Sequence, residues 1–315
     1  MTSYRDILTG ITRIADDNNL AGVIVHMNDT YLIESREPRL PGMARVAGMI
    51  REIRSLVRDR TGQDLMLVTH GGDYLGPSRI GKRFKGSAMN DLLMHCTTEV
   101  ATIGNHEFEY GWKVLKQRLT EARRKSHGNG YDVVMSNLLT SDPAGQKLFS
   151  PMMLWPRADT RPYVAVFGFA GEQTVKAAQA GSFAPSHPTL ESWCDWVAEK
   201  VRARRTVRVI AILSHCSREE DRVLQRALHA RLPMYQSYVL GGHDHHVGWS
   251  EPYGLSSTIL KGKAILSVRR CGHSAQGRDS RQRNRRHRVG ANGRTQHRGG
   301  NAPCAHRNVA TRLYG

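Results

Sequence analysis

Val100 to Trp112 reads VATIGNHEFEYGW, an apolar run of strand type that ends in a glycine followed within six residues by an amide, an imidazole and two carboxylates. Sheets of the open α/β type bind ligands beyond the carboxyl ends of their strands. That makes Asn105, His106 and Glu109 candidate site residues. Four other apolar runs end the same way: GVIVHM before Asn28 and Asp29, LMLVTHGG before Asp73, RVIAILS before His215, and SYVLGG before His243 and His245. Five polar clusters at five strand ends predict one shared crevice, and that convergence carries more than any single cluster does.

The runs are rich in Val, Ile and Leu and alternate with amphipathic segments, the pattern of α/β layers. Helices are predicted over 44–58, 87–95, 112–124, 189–204 and 217–232. Strands that are apolar throughout require burial on both faces. GPSRIGKR (Gly76–Arg83) nearly spells a phosphate-cradling loop, but Arg83 stands where the Mg-binding hydroxyl belongs and Pro77 lacks a needed N–H. His26, His70 and His95 lie in or beside apolar segments and read as core or edge histidines; His246 reads as solvent-facing.

In GGHDHH, His243 and His245 are two apart, so an extended segment turns both imidazoles to one side. Imidazoles with Asp and Asn oxygens form a mixed nitrogen and oxygen set suited to Mn, Fe, Co or Zn, and poorly suited to Ca or Mg. Asp29, Asp73, Asn105, His215, His243 and His245 are too many for one ion and predict two divalent metals about 3.5–4 Å apart sharing a carboxylate. His106 is then left over to meet the leaving group or the phosphate, oriented by Glu109.

The residues VIVHMNDTYLIE, VTHGGDYLGPS, FKGSAMNDLLM, IGNHEFEYG, ILSHCSREEDRVL and VLGGHDHH, in that order from about Gly22 to about Ser267, resemble the binuclear metallophosphoesterases of the calcineurin-like superfamily, and within it the 5'-nucleotidase group. The resemblance implies a four-layer α/β/β/α sandwich of the metallophosphoesterase type. It implies one metal on Asp29, Asp73 and His245 and another on Asp73, Asn105, His215 and His243, with Asp73 bridging, His106 catalytic and Asn137 lining the site. The implied reaction is phosphomonoester hydrolysis, with a metal-bridging hydroxide as nucleophile and His106 assisting. Three departures stand out. Tyr31 occupies the place of a histidine ligand and weakens or remodels the first metal site; Glu109 replaces the commoner Asp; and the group's C-terminal substrate domain does not follow.

The net charge of +18 suggests nucleic-acid or membrane-surface binding, but residues 269–315 hold twelve Arg against one Asp and no Lys or Glu, so this tail carries +11 of it. With no hydrophobic period and one aromatic, Tyr314, the tail is expected to be disordered. It reads as a non-specific nucleic-acid binder, a solvated appendage, or a translated frameshift replacing the substrate domain. The expected organisation is a helical extension over 1–20, a metallophosphoesterase domain over 21–268, and the tail. Two alternatives stay open beside the hydrolase: a truncated or degenerate relative with little activity, and nucleic-acid binding through the tail. Neither a secretory signal nor a membrane span is visible, and five scattered cysteines form no CxxC pair, so reduced thiols and a cytoplasmic location are expected.

Overall fold

Every residue of the strands Leu20–Met27 and Val209–His215 is buried, which demands cover on both faces. The computed structural model meets that demand with two sheets packed face to face. It describes residues 4–17, 20–31, 42–124, 130–157, 161–179, 182–245, 249–253, 256–261, 264–269 and 311–312.

In chain order the first elements are α1 (Tyr4–Ala15), β1 (Leu20–Met27), α2 (Met43–Thr61), β2 (Met66–His70), α3 (Arg79–Phe84), α4 (Ser87–His95), β3 (Val100–Ala101), a 3-10 turn (His106–Phe108) and α5 (Trp112–Arg124). There follow β4 (Asp132–Val134), β5 (Leu138–Thr140), α6 (Pro143–Gln146), β6 (Phe149–Ser150), β7 (Met153–Trp155), β8 (Val164–Ala170), α7 (Glu172–Gln179) and β9 (Phe183–Pro185). The last are α8 (Leu190–Arg202), β10 (Val209–His215), α9 (Arg218–Arg231), β11 (Gln236–Gly241), β12 (Trp249–Tyr253), β13 (Ser257–Lys261), β14 (Ala264–Arg269) and β15 (Thr311–Arg312). One sheet has the order β15-β14-β1-β2-β3-β4-β6, the other β12-β13-β11-β10-β8-β7, and β5 pairs with β9 apart from both.

The two-residue period of each strand assigns its side chains to layers. Ile24, Leu67, Val100 and Val134 of the first sheet interleave with Val166, Val209, Ala211, Leu213 and Leu240 of the second. The alternate residues Val23, Val25 and Met27 pack outward against Ile7 and Ile11 of α1 and Ile50, Ile53 and Val57 of α2. On the far side, Ile210 and Ile212 meet Trp193 and Val197 of α8 and Leu224 and Leu228 of α9. Each such aliphatic side chain contributes about 1.5–3 kcal/mol by burial, so the expected four-layer α/β/β/α order follows from strands with two apolar faces. Helix α9 starts at a capping box in which Ser217 accepts from the Glu220 amide and Glu220 accepts from the Ser217 amide.

The Gly76–Arg83 stretch forms no phosphate loop: the Ser78 hydroxyl accepts from the Gly81 amide and caps the short helix α3. The predicted strand at Val100 is shorter than its apolar run, because pairing with β2 and β4 covers only Val100 and Ala101 before the chain turns into the site. Cys96, Cys194 and Cys216 are buried. Of the basic tail, Arg269 closes β14 opposite Leu20, and Thr311–Arg312 pairs with Ile265 and Ala264. The expected disorder and nucleic-acid binding of the remainder lie outside the described residues, as does His246. Among the described residues, no helix is long and apolar enough to cross a membrane.

Candidate metal centre

The parallel strands β1, β2 and β3 of one sheet and β8, β10 and β11 of the other release their chains on the same side. Backbone hydrogen bonds lock the emerging loops: Gly71 N–H donates to Met27 O at 2.7 Å, Asp29 N–H to Gly72 O at 3.1 Å, and Gly242 N–H to Ser214 O at 2.9 Å. His215 Nδ1 reaches across the sheets to Gly71 O at 2.7 Å. That bond fixes its tautomer and turns Nε2 inward.

Asp73, His215 and His243 each present a donor atom, all within 4.8 Å of one another. Asp73 Oδ2 lies 3.0 Å from His215 Nε2, and both residues are about 1% exposed. Burial disfavours charge on both, yet each favours the other's, which holds the Asp73 carboxyl down at about 2 and pushes His215 up to about 9. Despite the short distance, His215 Nε2 makes no hydrogen bond, and the buried Asn105 Oδ1 has no partner either. With Nδ1–H given to the Gly71 carbonyl, the neutral ring presents a lone pair at Nε2 beside the carboxylate, and a cation taken up by both would replace the proton they otherwise share. Burial, and then the charge on His215, lower the pKa of His243 and keep its lone pair available. Asp73, Asn105, His215 and His243 therefore fit a divalent ion of the imidazole-binding kind.

Asp29, Asp73, His243 and His245 all have left-handed backbone, with φ of 51°, 58°, 79° and 53°. Such conformations cost of order 1–3 kcal/mol each in a non-glycine residue and cluster at functional sites. They correct the expectation of an extended GGHDHH segment: β11 ends at Gly241, and the two imidazoles converge by backbone turns instead of strand alternation. Gly104 is required for close approach, because a Cβ there would overlap Asp73 Oδ1 and lie 2.6 Å from His215 Nε2. Gly104→Ala is expected to weaken Mn(II) binding roughly 10- to 100-fold; isothermal titration measures it, and unchanged affinity would separate Gly104 from the centre.

Residue Glu107, passed over in the sequence, organises these loops. Its carboxylate is fully buried and accepts four backbone N–H groups: Asp73 at 2.7 Å, Tyr74 at 2.8 Å, Leu75 at 3.0 Å and Gly104 at 2.6 Å. Burial, and then the charge on Asp73, push its carboxyl up to about 7, against the pull of the amides. The signal was present, since Glu107 starts the same turn as His106, but a carboxylate in a polar run reads as an exposed helix start.

His106 lies beside the cluster: Nδ1 is 2.5 Å from Glu109 Oε1, Nε2 is 3.9 Å from Asp73 Oδ2, and its amide donates to Asp73 Oδ1 at 2.9 Å. Asp29 accepts from the His243 amide at 3.0 Å and from the Asn28 side chain. Tyr31 sits between these groups, with its hydroxyl 3.1 Å from Asp29 Oδ1, 2.9 Å from Asp73 Oδ2 and 3.0 Å from His245 Nε2. Asn137 is held in place by Ala170, with Nδ2 donating to Ala170 O and Oδ1 accepting from Ala170 N–H, both at 2.9 Å, which ties the segment before β5 to β8. His26 is buried against Thr69 and held near 3 by desolvation, and His70 is buried against Thr30, as core histidines; His95 is exposed at the end of α4.

Residues 22–247, well over half of the chain, match the sequence profile of the calcineurin-like phosphoesterase family. An apyrase from Aedes aegypti is 21% identical over 236 residues, which are 70% of this chain and 39% of that protein. A 5'-nucleotidase precursor from Thermus thermophilus superposes with a TM-score of 0.56 at 19% identity, over 78% of this chain and 50% of its own. A sulfate thiohydrolase, SoxB, from the same organism superposes with a TM-score of 0.62 at 15% identity, over 80% and 54%. At these identities the superpositions show the fold alone, and the chain spans half or less of the apyrase and the nucleotidase.

Proposed function

We propose that this chain, which belongs to the calcineurin-like phosphoesterase family, is a metal-dependent hydrolase of phosphate esters on nucleotide-type substrates. The observation that carries the reading is the convergence of Asp73, His215 and His243, beside which His215 Nε2 and Asn105 Oδ1 are buried without a hydrogen-bond partner. Asp73, Asn105, His215 and His243 would hold a divalent ion, Mn, Fe, Co or Zn by its donor set. Bound there, it would supply Lewis acidity to the phosphoryl oxygens and the attacking water.

The chain's own residues do the rest. Glu107 holds the amides of residues 73–75 and 104, so that Asp73 enters the site at a fixed angle. The Gly71 carbonyl holds His215 in one tautomer. His106, held by Glu109 through Nδ1, turns Nε2 toward the cluster, where it can hydrogen-bond a phosphoryl oxygen or deliver a proton to the leaving oxygen. The relatives named apyrase and 5'-nucleotidase support a nucleotide as the substrate class.

The test is turnover of p-nitrophenyl phosphate and of nucleoside mono-, di- and triphosphates with added Mn, Co or Zn. Turnover is expected to disappear on chelation and return with metal. A folded sample inert toward every substrate with every metal would sink the reading.

A further inference from the structure

Resting on that reading, we infer that the centre holds a single tight ion, on Asp73, Asn105, His215 and His243, and that the Tyr31 hydroxyl permanently occupies the seat that Asp29, Asp73 and His245 would form for a second. The three donors expected for that second ion all face one oxygen. Tyr31 Oη lies 3.1 Å from Asp29 Oδ1, 2.9 Å from Asp73 Oδ2 and 3.0 Å from His245 Nε2. An ion of this class requires such donors at about 2.0–2.2 Å, so an oxygen centred among them at hydrogen-bond distance excludes the metal.

The hydroxyl is also chemically satisfied there. It donates to a carboxylate and shares a hydrogen bond with His245 Nε2, and its ring stands edge-on to both His106 and His245 with centroids 5.4 Å apart.

The carboxylates are equally committed. Asp29 spends Oδ2 on the His243 amide and the Asn28 side chain and Oδ1 on Tyr31, so it serves as a brace for the turn that delivers His243. Asp73 gives Oδ1 to the His106 amide and shares Oδ2 between Tyr31 and the His215 side. The side of Oδ2 that faces His215 is left for the first ion, and the Tyr31 hydroxyl takes the side from which Asp73 would bridge to a second.

Mn(II) titrated into the full chain after exhaustive chelation, counted by elemental analysis and read by electron paramagnetic resonance, decides the matter. One tight ion with the six-line spectrum of an isolated Mn(II) is expected. Asp29→Asn, which keeps an acceptor for the His243 amide, should also bind one; Tyr31→His should bind two and show exchange coupling. The tail histidines are identical in all variants and cancel in the comparison. Two tight, coupled ions in the native chain, one of them lost in Asp29→Asn, would overturn the inference and leave the hydrolase reading intact. No tight ion in the native chain would overturn both. Should Tyr31→His fail to fold, the native chain and Asp29→Asn suffice.

Discussion

Glu107→Ala is expected to cost about 4 kcal/mol or more of folding stability, from four buried amides each losing an acceptor at about 1–3 kcal/mol. Against a total of about 5–15 kcal/mol for a domain, the variant would sit near the edge of folding. The carboxylate acts through backbone, accepting from the amides of Asp73, Tyr74, Leu75 and Gly104. Two loops from different strand ends are thus held by one carboxylate, and its loss releases both.

Glu107→Gln should cost less, about 2–4 kcal/mol, because its single oxygen still serves two amides while its NH2 faces two other donors. Glu109→Gln changes the same chemistry in a half-exposed place and should stay within about 0.5 kcal/mol of native, as surface substitutions do. Urea denaturation of the three variants measures the order. A Glu107→Ala chain as stable as Glu109→Gln would mean that the amides find other partners, and would remove Glu107 from the account of the site.

The strand ends were legible because their physics is local. A strand buried on both faces must be apolar along its length, and the first polar residues after it lie in the crevice; Asp29, Asp73, Asn105, His215 and His243 follow from that alone. What stayed hidden depends on partners far along the chain. The resemblance puts Tyr31 in a ligand's place, but nothing around NDTY says that its hydroxyl will meet His245, more than two hundred residues away. Asn137 looks free in SNLL, yet its amide is tied by two hydrogen bonds to the backbone of Ala170 on another strand. The left-handed turns at His243 and His245 escaped because strand alternation was carried four residues past the strand's end at Gly241. Local period assigns residues to faces; it cannot count the donors that will saturate a polar atom once the sheets close.

His106→Ala is expected to lower kcat about 10²- to 10⁴-fold, the span of a positioned acid or base, while Mn(II) affinity holds. Affinity should survive because the group that supports Asp73 is the His106 amide, at 2.9 Å from Oδ1, and alanine keeps it. Asp73→Ala, by contrast, removes the donor that faces His215 at 3.0 Å and should lose metal and turnover together. Glu109→Gln retains a hydrogen bond to Nδ1 and forfeits its charge, so a smaller loss of about tenfold is expected. The leaving group separates the two roles open to His106. Nitrophenolate departs without a proton, whereas a nucleoside alkoxide needs one, so a proton donor makes His106→Ala far more damaging on a nucleoside monophosphate than on p-nitrophenyl phosphate. Equal losses on both would place its action on the phosphoryl oxygens, where transition-state charge is the same for either ester. Loss of metal in His106→Ala with retention in Asp73→Ala would invert the roles assigned to the two residues.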